Sequence, residues 1–149
     1  MTPARGIERS DPSPGAPTGA AAIPNAFDIR IRGGLTMLEA GLLAAVPFLR
    51  HGFCTRRGGN SAGRFESLNF SFRRGDAEAH VRANWAALSR AFGIAPERFV
   101  TVRQVHGDGI WVIDGSESLP IPGGAGGGAH EPCCDAIVTN RAGIAIGVK

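Results

Sequence analysis

Apolar positions along this chain sort into one helical stripe and several short alternating runs. Between residues 76 and 92, Val81, Trp85, Leu88 and Phe92 recur at spacings of four, three and four, which puts them on one face of a helix. Asp76 is suited to cap its start, Glu78 favours its positive end, and Gly93 stops it. That stripe reads as core packing. Residues 27–31, Phe-Asp-Ile-Arg-Ile, alternate as a strand and stop at Gly33-Gly34. Residues 47–55 read as extended and lead into a turn-rich polar loop, Arg57-Gly-Gly-Asn-Ser-Ala-Gly.

After a turn begun by Pro96, residues 99–106 alternate again. Val100, Val102, Gln104 and His106 fall on one face, and Phe99, Thr101, Arg103 and Val105 on the other. Gly107-Asp108-Gly109 signals a turn, which makes residues 110–113 the expected return strand of a hairpin. A second hairpin is predicted from residues 136–139 and 144–148, turned by Asn140-Arg-Ala-Gly. The run Gly123-Gly-Ala-Gly-Gly-Gly has no following Lys-Ser or Lys-Thr and no strand-to-helix setting, so it reads as a connector rather than a phosphate cradle. Residues 1–24, rich in Pro, Gly, Ala, Ser and Thr, lack periodicity and are expected to form a disordered tail. No internal repeat is present.

Composition narrows the class. The 149 residues are 43% hydrophobic and 19% charged, a globular balance, with enough length for a sizeable core. No apolar run is long enough to span a bilayer, and the N-terminus lacks the apolar segment of a secretory signal, so no membrane partner is expected. Three cysteines, Cys54, Cys133 and Cys134, are too few and too oddly placed for a disulfide scaffold and suggest a reducing, cytoplasmic setting. The net charge of +3 rests almost wholly on arginine, since Lys149 is the only lysine. Those arginines are scattered rather than massed, so a small anionic ligand is as good an expectation as nucleic acid, and the simpler account makes most of them solubilising surface.

His106 stands out chemically. It ends a strand beside a glycine-rich turn, on the same face as Gln104, where an imidazole can bind a metal or move a proton; on spacing alone, a surface histidine near a hairpin tip remains the simpler account. A catalytic zinc needs three protein ligands and an open position. The remaining candidates are His51, His80, His130 and the three cysteines. His130-Glu-Pro-Cys133 has chelate spacing but no matching second pair, His80 reads as a solvated helix residue, and Cys54 as a small buried hydrophobe. The segment from His51 to Phe72 gathers Arg, Gly, Ser and Asn into a loop that offers guanidinium forks and backbone N–H groups to an anion, or is simply a polar loop.

Five motifs then occur in order: His51-Gly-Phe-Cys-Thr-Arg-Arg-Gly-Gly-Asn-Ser, Ser67-Leu-Asn-Phe, Gly75-Asp with a helix containing Asn84, Gln104-Val-His-Gly, and Asp135-Ala-Ile-Val-Thr. Together, over residues 46–149, they resemble the laccase-domain family. Its members were first regarded as multicopper polyphenol oxidoreductases, and later as zinc-dependent purine nucleoside phosphorylases with adenosine deaminase activity.

The resemblance implies an α+β fold, a layered α/β sandwich with mixed sheets. It implies a zinc ion held by the histidine of Gln-Val-His-Gly, a cysteine of Thr-Ala-Asp-Cys and a histidine of His-Ala-Gly-Trp-Arg. His106 matches the first, as metal ligand and catalytic residue; the other two motifs are absent from this chain. Residues 25–149 are therefore expected to be the N-terminal part of such a domain, ending before the second and third ligands. Arg56, Asn69 and Gln104 match positions near the family's pocket and are the expected contacts to a purine nucleoside and phosphate. Cys54 departs from the hydroxyl residue more usual there. A copper-dependent phenol oxidase and a catalytically inactive interaction domain are the alternatives, and the oligomeric state is left open.

Overall fold

The structure, a computed structural model, describes residues 27–115, 119 and 131–149. The expected tail, the glycine-rich connector and His130 lie outside the described residues. Strands β1 (Phe27–Arg32) and β2 (Leu35–Ala40) form an antiparallel hairpin in which Arg32 pairs with Leu35. Gly33 and Gly34 both take positive φ, 57° and 87°, as a tight two-residue turn demands. A Cβ on Gly33 would also sit 2.9 Å from the Ala87 carbonyl oxygen, so only glycine lets this turn rest on the long helix. Strand β3 (Phe53–Cys54) adds antiparallel to the other edge of β2.

The predicted helix is α2 (Glu78–Phe92), following a single-turn helix α1 (Gly41–Ala44). Val81, Trp85 and Leu88 are buried and Phe92 is half-buried, so the apolar stripe is the core as expected. They pack with Leu35, Met37 and Phe99, and Trp85 meets Phe70 in a tilted pair at 4.9 Å and Phe99 edge-on at 6.0 Å between ring centres. The indole N–H donates to the Phe70 carbonyl at 3.1 Å, which satisfies the ring's polar edge. Gly93 ends the helix in the left-handed conformation, with its N–H on the Ser89 carbonyl. The start differs from expectation. Ala77 occupies the cap position without a side-chain bond, because the carboxylate of Asp76 is drawn to Ser61 and Asn69 as well as to the Ala77 N–H.

Both predicted C-terminal hairpins are corrected. Strand β4 (Phe99–Thr101) pairs parallel with β7 (Ala145–Gly147), and β5 (Ile110–Ile113) pairs parallel with β6 (Ala136–Thr139). The regular strand in residues 99–106 is also shorter than expected, although Arg103 still makes an isolated bridge to Cys133. The alternation misled because Phe99, Val100, Thr101 and Val102 are all buried. Parallel strands are covered on both faces, so their two-residue period carries no inside and outside. Strand β2 had no sequence signal, since Leu, Met, Glu and Ala favour helices; pairing along both its edges holds it extended.

The fold class agrees with the expected α+β layering: the described residues form one antiparallel sheet and two parallel strand pairs, with α2 packed against the β1–β2 hairpin. No helix among the described residues is long and apolar enough to cross a membrane. Removing the central ring tests this core. Trp85→Ala is expected to cost about 3–5 kcal/mol, read as a lower urea midpoint by circular dichroism; an unchanged midpoint would count against Trp85 as the centre of packing.

Candidate active site

The predicted site residues fall into two groups on different parts of the chain. Arg56 and Asn69 belong to the polar loop that lies over the N-terminal half of α2. There Gly58 and Gly59 pass so close to other backbone that a Cβ would meet the Gly34 carbonyl at 2.0 Å and the Ser67 carbonyl at 1.9 Å. The Arg56 guanidinium donates to the Glu66 carbonyl from Nε at 3.0 Å and Nη2 at 2.6 Å, and more distantly to Arg64. This brace closes the loop on itself. Its Nη1 has no hydrogen bond among the described residues.

Asn69 is tied into a buried polar network. Its amide donates to Asp76 Oδ2 at 3.0 Å and to the Ser71 carbonyl, and its Oδ1 accepts from the Ser71 N–H. The Ser61 hydroxyl also donates to Asp76 Oδ2, at 2.6 Å. At the centre is Asn84, 0% exposed, whose amide donates to Ser61 Oγ and the Asn69 carbonyl while its Oδ1 accepts from the Asn60 N–H. The hydrogen bonds from Ser61, first, and from Asn69, next, hold the Asp76 carboxyl below the usual carboxylate range.

Gln104 and His106 lie on the second group, the loop between β4 and β5. Both side chains are exposed, and neither has a hydrogen-bond partner among the described residues. One carboxylate organises this backbone. Asp135 Oδ1 accepts from the Val105 and His106 N–H groups at 2.9 and 2.8 Å, and Oδ2 accepts from the Gly107 N–H at 2.8 Å. The N–H of Gly107, then those of His106 and Val105, hold the Asp135 carboxyl below its usual range. His106 sits at φ 58°, the one described non-glycine residue with positive φ.

No hydrogen bond joins the two groups among the described residues. Asp135 and Asn84 are organising residues that sequence reasoning missed, and Asp76, expected only as a helix cap, organises the loop as well. Each stood inside a recognised motif, but nothing in the spacing indicated what its side chain holds.

The other candidates separate. His51 accepts the Ala40 N–H on Nε2 at 2.7 Å and lines a cleft of about 260 Å³ with Arg32, Glu39, Arg50 and Phe92; none of the four predicted site residues lines it. Cys54 is exposed at a sheet edge rather than buried, because β3 is only two residues long. The protein packed about its thiol still pushes the pKa up, which disfavours nucleophilic use. Cys133 is exposed and takes both Nη2 and Nε of Arg103 on its sulfur, at 2.7 and 3.3 Å, whereas Cys134 is buried. Among the described residues no group of three or more His, Cys, Asp or Glu side chains lies close enough to hold a metal ion. His106 belongs to no such group among the described residues.

The layered α+β fold with its Gln-Val-His-Gly loop defines a laccase-domain protein. The family described as Multi-copper polyphenol oxidoreductase laccase matches residues 50–149, and the chain belongs to it. It is 40% identical over 96 residues to Purine nucleoside phosphorylase ORF3 of Streptomyces griseus, covering 64% of this chain and 36% of that protein. It is 33% identical over 120 residues to Purine nucleoside phosphorylase LACC1 of Mus musculus, covering 78% and 24%. The crystal structure of YlmD from Geobacillus stearothermophilus matches with a TM-score of 0.65 at 31% identity, over 84% of this chain and 44% of that one. The chain spans less than half the length of each of these proteins.

The Asp76 network predicts an acid response. Because the folded carboxyl titrates below the unfolded one, its stabilisation is complete above the unfolded value, near 4, and is lost as pH falls through the lower folded value. Urea midpoints followed from pH 7 to pH 2 should therefore drop at the acid end. Asp76→Asn should be less stable at pH 7 and flatter across the acid range; equal acid slopes in the two proteins would contradict this.

Proposed function

We propose that this chain is the N-terminal part of a zinc-dependent purine nucleoside phosphorylase domain, in which His106 is one zinc ligand and catalytic residue. The substrates in this reading are adenosine, inosine, guanosine or methylthioadenosine with phosphate, and the products are the free base and ribose 1-phosphate. Adenosine deamination at the same site accompanies it. The observation that carries the proposal is the Gln104-Val-His-Gly loop. Its histidine is held outward, in a chain whose relatives bear the phosphorylase name.

Phosphorolysis forms a bond from a phosphate oxygen to the sugar C1′ and breaks the bond to the purine nitrogen, whose electron pair the leaving base keeps. Holding the two reactants in line supplies much of such a rate. Arg56 suits the phosphate role because Nη1 remains after its two carbonyl bonds are made, and a guanidinium keeps its charge. Asn69 contributes by fixing the loop that carries Arg56, since its own amide is engaged with Asp76 and Ser71. Gln104 is free to hydrogen-bond a nucleoside. Zinc belongs in this proposal to the completed domain and not to the described residues, which supply one ligand where a catalytic site takes three.

Surface chemistry supports the reading that further polypeptide completes the domain. Ile110, Val112 and Val138 are 62%, 58% and 52% exposed on the β5–β6 pair, an unusual state for parallel strands. Three free cysteines fit a cytoplasmic setting. Copper-dependent phenol oxidation remains the competing activity because the matched family carries that description.

Metal analysis combined with incubation in inosine and phosphate separates these readings. Hypoxanthine release with bound zinc is the expected result in the completed protein, and phenol oxidation with bound copper would replace the proposal. Neither activity would leave a non-catalytic domain. His106→Ala is expected to abolish zinc retention and lower phosphorolysis by at least ~100-fold; full zinc content and turnover in that variant would remove His106 from the site.

A further inference from the structure

We infer that Asp135 is the positioning residue for His106: its carboxylate holds residue 106 in the left-handed conformation that aims the imidazole outward. The inference rests on the proposed place of His106 in the active site.

A residue with a Cβ is disfavoured at positive φ, and single residues held there are found where surrounding structure over-determines them, often at functional sites. His106 has no local reason to be there, since its side chain bonds to nothing among the described residues. What over-determines it is the convergence of three successive N–H groups, from Val105, His106 and Gly107, on the two oxygens of Asp135. Successive N–H groups directed to one point form a nest for an anion. Here the anion is built into the chain.

Asp135 is itself fixed from the other side. Its N–H donates to the Gly109 carbonyl at 2.9 Å, and the next residue, Ala136, enters β6 opposite Ile110 of β5. One residue therefore grips the loop at both ends, through its side chain at 105–107 and its backbone at 109. The β5–β6 register decides where the carboxylate sits, and the carboxylate decides the backbone of His106. Rotation of φ at residue 106 to negative values would re-aim its Cα–Cβ bond while leaving the strands in place. Asp135 touches no reacting atom in this scheme and acts only through His106.

Amide exchange and His106 resonances in the ¹⁵N-labelled 149-residue chain test this, comparing wild type with Asp135→Ala and with the isosteric Asp135→Asn. In Asp135→Ala the amides of residues 105–107 should exchange at least tenfold faster. The H–N–Cα–H coupling and Cβ shift of His106 should move from left-handed to extended values, and its ring resonances should shift. Asp135→Asn, keeping one acceptor oxygen, should fall between. Amides of α2 should hold their wild-type exchange in both variants.

Unchanged exchange and coupling at His106 in Asp135→Ala would overturn the inference. Loss of α2 protection in both variants would overturn it too, since Asp135 would then hold the fold and not the loop. The functional proposal fails separately: intact phosphorolysis in His106→Ala removes His106 from the chemistry whatever Asp135 does to its backbone.

Discussion

The amide of Asn84, with no exposed surface in the middle of α2, is the contact on which the arrangement of the motif loop depends. A buried amide is costly unless each of its polar atoms finds a partner. Asn84 meets that condition only when Ser61, Asn69 and the Asn60 N–H come to it. The loop is thereby fastened to the one long helix, and the aromatic layer of Phe70, Trp85 and Phe99 closes beneath it. Asp76 extends the same network to the helix start, which is why it no longer serves as an ordinary cap.

Asp135 repeats this device on the second loop with a different outcome. Asp76 gathers mainly side-chain donors and fixes a packed surface. Asp135 gathers backbone donors and leaves the side chains of Gln104 and His106 pointing away from the body of the protein. Anchored backbone with free side chains is the condition for presenting groups to a ligand, since the geometry is set before anything binds.

Parts of this were legible in the residues alone. The stripe Val81, Trp85, Leu88 and Phe92 gave α2 and much of the core, because helical period and burial are set by neighbours a few positions away. Residues 27–31 read as a strand from their alternation, although β1 is exposed along its whole length, and five ordered motifs pointed to the family that the comparison then showed. The site was legible as a set of candidates. Its supports were not, because Asp135 lies about thirty positions from the loop it holds and Asn84 reads as an ordinary polar helix residue.

By itself the sequence determined the long helix and several of the extended segments, the family, and which side chains are chemically able, but not β2 or α1. Only the tertiary structure decided strand partners and the conformation of His106. Alternation over residues 99–106 identifies a strand without naming its neighbour, so a nearby glycine turn suggested a hairpin where β4 instead pairs with β7, more than forty positions away. A left-handed histidine is likewise invisible locally, since positive φ is uncommon for any residue with a Cβ. It exists because a distant carboxylate, placed by strand pairing, satisfies three amides at once.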